Sequence, residues 1–206
     1  ESKATGVVLE SALDKGKGAT ATVLVQKGCM NMGDNIICGK EYGRIRAMID
    51  QDGKRVDTAT PSMPVVILGL SGAPEVGDEV LSAVNDKKIR DIAEFRKTKL
   101  RDNKFASQYQ APTLDNMFSN LKKGEVPTLN ILLKTDVQGS AQAICDSLTK
   151  LNTEEVEVKI ISSSAGAINE SDIALAEASN AIIFGFNVRA DSQAKKTVME
   201  KRIDLR

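Results

Sequence analysis

Two patterns of apolar and polar positions divide the chain. Residues 1–84 carry short runs rich in Val and Ile, separated by Gly, Asp and Pro at intervals of about ten residues, the spacing of β-barrels. Strands are predicted at Val7-Val8-Leu9, Thr20 to Val25 and Ile36-Ile37-Cys38. A hairpin is predicted from 43–50 and 54–58 around Asp52-Gly53, two residues that tolerate positive φ. Met32-Gly33-Asp34-Asn35-Ile36 is echoed by Val76-Gly77-Asp78-Glu79-Val80, each placing a Gly-Asp turn directly before a strand.

Beyond residue 128 the pattern alternates strand, loop and helix, which points to a parallel sheet covered by helices. Leu129-Asn130-Ile131-Leu132-Leu133 opens it. A helix from about Ser140 places Ala141, Ile144, Leu148 and Leu151 on one stripe. The run 156–161 alternates apolar with charged residues and reads as an edge strand; 181–186 is almost continuously apolar and reads as a central one. Asn169 should cap a helix over 170–178 with Asp172 three positions on, Asn180 should end it, and Asp191 should cap a last helix with Ala194 and Val198 inward. Right-handed crossovers favour the strand order two-one-three-four in an open four-stranded sheet. Between the two patterns, 87–104 reads as a helix with Ile89, Ile92, Ala93 and Leu100 on one stripe and eight Lys or Arg against three Asp or Glu. A loop over 105–110 and a short helix from Pro112 and Thr113 through Leu121 complete this connector. The fold class is multi-domain α and β: a β-barrel (1–84), a helical connector (85–127) and a small α/β/α sandwich with a four-stranded parallel sheet (128–206).

Composition narrows the chemistry. The 206 residues hold 28 Lys plus Arg and 28 Asp plus Glu, so no global field commits the chain to nucleic acid or membrane. There is no histidine, which removes the commonest general base, every Ser-His-Asp or Cys-His arrangement and most mixed zinc sites. Cys29, Cys38 and Cys145 form no CxxC pair and suit a reducing cytosol. No apolar run approaches bilayer length and no leader precedes a cleavage site, so a soluble, cytoplasmic chain is expected. A start at Glu1 and a stop inside what reads as a fourth strand, Ile203-Asp204-Leu205-Arg206, suggest a piece of a longer protein.

In open α/β sheets function gathers at the carboxyl ends of the strands, here the loops 135–139, 162–169 and 187–191. Each loop, or the helix start it feeds, carries an acid: Asp136, Glu170 with Asp172, and Asp191. Helix capping accounts for them, and they would repel a phosphate. Two near-misses for nucleotide motifs fall in the barrel. Gly16-Lys17-Gly18-Ala19-Thr20-Ala21 matches GxGxxA but is followed by β-formers; Gly33 to Gly39 with Lys40 has one residue too many for a P-loop, and Glu41 stands where Ser or Thr would hold magnesium. Basic residues gather locally in the barrel. Arg44 and Arg46 share one face of a strand whose Ile45, Ala47 and Ile49 take the other; Lys54 and Arg55 lie just across the hairpin turn, and Lys15 and Lys17 sit in a glycine-flanked loop. An ordinary solvated face explains them, and so does a phosphate-contacting patch. No aromatic residues interleave, so backbone contact with a folded duplex fits better than base stacking.

The barrel stretch, with Thr20 to Val25, Lys27-Gly28, Gly33-Asp34, Tyr42-Gly43-Arg44-Ile45-Arg46-Ala47, Leu68-Gly69-Leu70 and Gly77-Asp78, resembles the second domain of translational GTPases. Leu132-Leu133-Lys134-Thr135-Asp136-Val137-Gln138-Gly139-Ser140, then Gly166 to Asp172, then Ala178 to Arg189 resemble the third domain of bacterial translation initiation factor two. Ser163-Ser164-Ala165 stands where that family often has glycine and valine, and Ala190 where proline is usual. The resemblance implies a non-catalytic segment of a ribosome-activated GTPase that carries initiator tRNA to the small subunit and promotes joining of the large one. It places the GTP and magnesium site upstream of Glu1 and the tRNA-binding barrel beyond Arg206, so this segment needs no cofactor and meets tRNA and the large subunit only through regions outside it. Its implied partners are small-subunit ribosomal RNA, for Lys15, Lys17, Arg44, Arg46, Lys54 and Arg55, and the parent's own GTPase domain, through coupling residues Asp136, Gln138, Gly139, Asn169, Glu170 and Asp191. The competing readings are a nucleotide-dependent α/β enzyme with an appended barrel, and a different translational GTPase. The latter would need a second β-barrel where the chain shows helix-strand alternation.

Overall fold

The computed structural model of the chain describes residues 4–14, 16–83, 86–108, 127–153, 156–201 and 203–206. Strands β1 (Thr5–Asp14), β2 (Gly18–Lys27), β4 (Asn35–Cys38), β5 (Glu41–Ile49), β8 (Pro64–Leu70) and β9 (Glu79–Ala83) form an antiparallel barrel in the order β4-β9-β1-β2-β8-β5, closed by pairing of β4 with β5. Short strands β3 (Met30–Asn31) and β7 (Thr58–Ala59) make a separate ladder, and β6 (Arg55–Val56) folds back across the 50–54 turn to pair antiparallel with the end of β5. Val8, Val23, Ile36, Ile45, Met48 and Ile67 fill the interior. Burying aliphatic side chains of this size stabilises by about 1.5–3 kcal/mol each, which is why the alternating pattern specifies the closed form.

The sequence echo is a structural repeat. Gly33 and Gly77 both hold positive φ, 90° and 89°. Asp34 and Asp78 each take the backbone N–H three residues before them on a carboxylate oxygen, at 2.9 Å, closing matching turns. Each turn then exchanges two backbone bonds with a strand: Gly33 N–H to Ile45 O and Ile45 N–H to Asp34 O, and Gly77 N–H to Val8 O and Val8 N–H to Asp78 O. The strands the turns feed, β4 and β9, lie side by side. Gly16-Lys17-Gly18 is a turn into β2, and Gly33 to Gly39 spans a turn and β4, so neither near-miss motif opens a helix.

One expectation for β5 fails. Simple alternation puts Ile45, Ala47 and Ile49 inward; Ile45 and Ala47 are buried as expected, but Met48 takes the place of Ile49 in the core. The cause is a bulge against β8: Gly43 pairs with Leu70 and Ala47 with Leu68, so three residues of β5 face Gly69 alone. The two backbones touch there. A side chain on Gly43 would collide with the Gly69 carbonyl, and one on Gly69, whose φ is 113°, with the Arg44 carbonyl. The bulge shifts the inward register by one residue and leaves Arg44 and Arg46 exposed.

Helix α1 (Asp86–Gln108) lies against the barrel through Ile89 and Ala93, which meet Ile37, Tyr42 and Leu81. It runs through the predicted 105–110 loop as far as Gln108, and the predicted short helix after Pro112 falls outside the described residues. Ile92 and Leu100, placed on the inward stripe by periodicity, are 46% exposed. Past Ala93 the contact turns polar: Arg96 donates to the Gly39 carbonyl at 2.6 Å and Lys97 pairs with Glu41 at 3.1 Å.

Three parallel strands follow, β10 (Thr128–Thr135), β11 (Glu157–Ala165) and β12 (Ile182–Phe186), in the order β11-β10-β12. Leu205 bridges Ile183 in parallel on the far side of β12, the position of the expected fourth strand. Helices α2 (Gln138–Thr149), α3 (Glu170–Ala178) and α4 (Ser192–Lys201) connect them. The crossover from β10 to β11 and that from β11 back over β10 to β12 run in opposite directions, so right-handed connections put α2 on one face and α3 with α4 on the other. Leu132, Ile173, Ala176, Ile183 and Ala194 form the core beneath α3 and α4.

Boundaries here depart from the periodicity. The strand β11 continues through Ser162, Ser163 and Ser164, expected as loop, because a register shift at Ile161 re-pairs it with Leu132 to Thr135. The helix α2 starts at Gln138 and ends at Thr149, which leaves Leu151 beyond it and 64% exposed. Strand β10, buried from Ile131 to Thr135, is the covered centre, whereas Phe184 and Phe186 of β12 are 38% and 53% exposed.

A buried ion pair ties α3 to the central strand. Lys134, with 7% of its side chain exposed, reaches Asp172 at 3.1 Å and donates to Ser164 at 2.9 Å. Asp172 also completes the capping box with Asn169 at the start of α3.

Two stability series follow from these contacts. Gly69→Ala should lower the free energy of unfolding in urea by about 3 kcal/mol or more, since it adds a backbone collision to a strained φ. Gly53→Ala, at φ 78° in open space, should cost about 1–2 kcal/mol; equal losses would show that the bulge is not tightly packed. Asp172→Ala should cost about 3 kcal/mol, because it strands a buried ammonium and removes a helix cap. Lys134→Met should cost less, since the Asp172 carboxylate keeps its bond from the Asn169 N–H, and the reverse order would contradict this account.

Candidate functional site

The structure separates the predicted basic residues. Ala19 and Gly43 both pair with Leu70, whereas Ile49 pairs with Val66 and Leu24 with Pro64. Lys17, in the β1–β2 turn, therefore sits at one end of the barrel, and Lys54 and Arg55, at the 50–54 turn, sit at the other. Lys15 lies outside the described residues. Lys17, Lys54 and Arg55 are exposed, Lys17 on one turn and Lys54 with Arg55 at the other. The Asp14 carboxylate accepts the N–H groups of Lys17 and Gly16, which lowers its pKa and fixes the turn that presents Lys17.

Arg44 and Arg46 acquire a neighbour the sequence did not indicate. They line a cleft of about 620 Å³ together with Arg90 of α1 and the glycines Gly33, Gly43 and Gly69. Arg44 is aimed by a 2.9 Å bond from its Nε to the Gly33 carbonyl, at the first of the repeated turns. The stem of Arg46 crosses Gly69, in the space a larger residue would need. Arg90 is held by Asp86 at 3.0 Å, one helical turn away, and its guanidinium lies 5.8 Å from the centre of the Tyr42 ring. Lys97 approaches that ring to 6.0 Å. Among the described residues neither Arg44 nor Arg46 has a carboxylate within ion-pair distance. The cleft thus joins three arginines, three glycines, of which Gly33 and Gly69 lie against Arg44 and Arg46, and one carboxylate already engaged with a cation.

On the opposite side of this β4–β5 corner, burial raises the pKa of Asp78, despite its bond from the Glu75 N–H. The Cys38 thiol beside it is pushed up to about 12, first by burial and then by Asp78 and Glu41. Glu41 itself accepts from Ser71 at 2.6 Å and pairs with Lys97, so it anchors α1 to the barrel.

The strand-end loops form one tied cluster. Asp136 accepts from the Val137 N–H at 2.9 Å and from the Asn187 amide at 2.6 Å, joining the loops after β10 and β12. Gly166 donates to the Thr135 carbonyl, and Ile168 bridges Ala190, joining the third loop to both. Asn169 caps α3 as expected, with Glu170 exposed in its first turn, and Asp191 caps α4 by accepting from Ala194 N–H at 2.8 Å.

The barrel sits on this cluster. Ala12 of β1 bridges Val137, Leu13 lies against Gly166, and Glu10 and Val76 face Gly139. A Cβ on Gly139 would stand 3.2 Å from a Glu10 carboxylate oxygen and 3.6 Å from Val76. The first turn of α2 has no side-chain cap and no acid of its own, so Glu10 brings negative charge to that end from outside the helix. Asp136, Gln138 and Gly139 are half-buried at this seam, while Asn169 and Glu170 are exposed away from it. With Glu10 over α2 and Asp136 already engaged, these loops do not fit a nucleotide phosphate. No group of three or more His, Cys, Asp or Glu among the described residues is placed to hold a metal ion. Sequence reasoning missed Arg90, Glu10 and Lys134; the basic excess of 87–104 was the only signal toward the first.

Comparison with known proteins agrees with this architecture. The profile of translation-initiation factor 2 matches residues 102–206, and that of elongation factor G domain 2 matches residues 3–83. Among solved structures, GDP-bound aIF5B from Aeropyrum pernix shares the fold with a TM-score of 0.51 at 18% identity, over 100% of this chain and 34% of that one. A bacterial selenocysteine-specific elongation factor, EF-Sec, matches at 20% identity with a TM-score of 0.36, over 38% of this chain and 14% of that one. The chain therefore spans about a third of the length of aIF5B. Because the first profile covers just over half of the 206 residues, the chain belongs to the translation-initiation factor 2 family.

Proposed function

We propose that this chain is the non-catalytic coupling segment of a bacterial, cytoplasmic translation initiation factor. The whole protein would be a GTPase that delivers initiator tRNA to the small ribosomal subunit and promotes subunit joining. In this reading residues 1–84 dock on small-subunit ribosomal RNA, 85–127 connect, and 128–206 relay the state of a GTPase domain outside this chain, where GTP and magnesium would bind. The observation that carries it is the seam between β1 and the strand-end loops. A domain whose loop tips are occupied by a neighbouring domain is arranged to feel that neighbour, not to take a substrate. The exposed Arg44 and Arg46 on the far strand give the barrel an RNA-facing side.

Two measurements test the reading. Replacing Arg44, Arg46 and Lys54 with Glu should weaken binding to small ribosomal subunits and flatten its dependence on salt; unchanged affinity and slope would remove the barrel from RNA docking. In the full-length factor, amide exchange across Asp136, Val137, Gln138 and Gly139 should differ between the GTP and GDP forms. Identical protection, or tight binding of GTP to the 206-residue chain alone, would exclude the relay.

A further inference from the structure

We infer that Arg44, Arg46 and Arg90 form a clamp for backbone phosphates of double-stranded RNA, built jointly by the barrel and α1; this rests on the RNA-docking reading and names its site. Guanidinium groups match phosphate oxygens bidentately, and three of them converge on one cleft of about 620 Å³. Gly33, Gly43 and Gly69 line it, and the space beside Gly33 and Gly69 is taken by the side chains of Arg44 and Arg46, so a sugar-phosphate chain entering there meets the arginines. The Arg44 bond to the Gly33 carbonyl holds one guanidinium in place before any ligand arrives. A free nucleotide fits less well than a polymer backbone. The one aromatic ring among the cleft's lining residues, Tyr42, packs with Ile89 and Ala93 of α1 and lies under the cations of Arg90 and Lys97, so it is already engaged with the protein.

The arrangement also assigns a role to Asp86. It orients Arg90 through an exposed pair of the kind that dissociates easily, and its charge opposes an incoming phosphate. Phosphate binding must therefore draw Arg90 away from Asp86 or share it. Removing Arg90 and removing the Asp86 charge should act in opposite directions, an outcome that a purely structural pair would not produce.

Fluorescence anisotropy of a labelled RNA duplex of mixed sequence, titrated with the 206-residue chain at several KCl concentrations, tests this. Arg90→Gln should weaken binding on the order of tenfold at low salt and lower the salt slope by about 0.9. Arg90→Lys should fall between it and the unmodified chain, and Asp86→Asn should bind more tightly. Circular dichroism of each variant checks that α1 survives. Unchanged affinity for Arg90→Gln, or weaker binding by Asp86→Asn, overturns the clamp. If Arg44→Gln weakens binding while Arg90→Gln does not, the clamp fails and barrel docking stands; if neither weakens it, both fail.

Discussion

The contact between two strands that carry no side chains where they meet, at Gly43 and Gly69, is what the barrel's working face depends on. At that point β5 gains residues relative to β8, the inward register jumps from odd to even positions, and Met48 replaces Ile49 in the core. Arg44 and Arg46 flank Ile45 on the outer face of the wall at this same point, against Gly33 and Gly69. A larger residue at either glycine would force the backbones apart, and with them the corner against which α1 rests. Packing and charge presentation are therefore one constraint. The geometry that closes the interior also sets where the guanidinium groups stand.

The two halves of the chain meet at a repeated feature of the barrel. The repeated Gly-Asp turns at Gly33 and Gly77 stand in matching positions, each bonded to a strand that begins beside a close glycine contact. One turn supports Arg44 at the cleft. The other presents Val76 to Gly139 at the seam with the parallel sheet. The barrel thus offers two equivalent corners, one facing the cleft and one facing the strand-end loops, joined by the paired strands β4 and β9. Those loops are in turn bonded to one another through Asp136, Asn187, Gly166 and Ile168, so a shift of β1 against Val137 would be felt across the carboxyl ends of all three strands.

Much of this was legible in the residues. The barrel, the parallel sheet, the strand order and the caps at Asn169 and Asp191 follow from local chemistry, because apolar alternation and capping residues act over a few positions. The echo of Gly-Asp turns was legible for the same reason. The bulges were not: nothing local announces that Ile161 slips or that Arg44, Ile45 and Arg46 share one partner, since each depends on the opposing strand. The basic patch was misgrouped because closeness in sequence placed Lys54 and Arg55 beside Arg46, whereas strand pairing sends them to the far end and brings in Arg90 from more than thirty positions away. The outward turn of Ile92 and Leu100 reflects how small a part of α1 the barrel covers, beyond which Arg96 and Lys97 take over the contact.

The central claim is that the bulged corner of the barrel and α1 together present arginines to an RNA backbone. The most direct measurement follows the arginine side-chain Nε–H signals of the isotopically labelled chain by NMR as an RNA duplex is added. The account predicts that the signals of Arg44, Arg46 and Arg90 move together, while that of Arg55 at the opposite end stays in place. Shifts confined to Arg55, or no movement at the three cleft arginines under conditions where the RNA is bound, would contradict it.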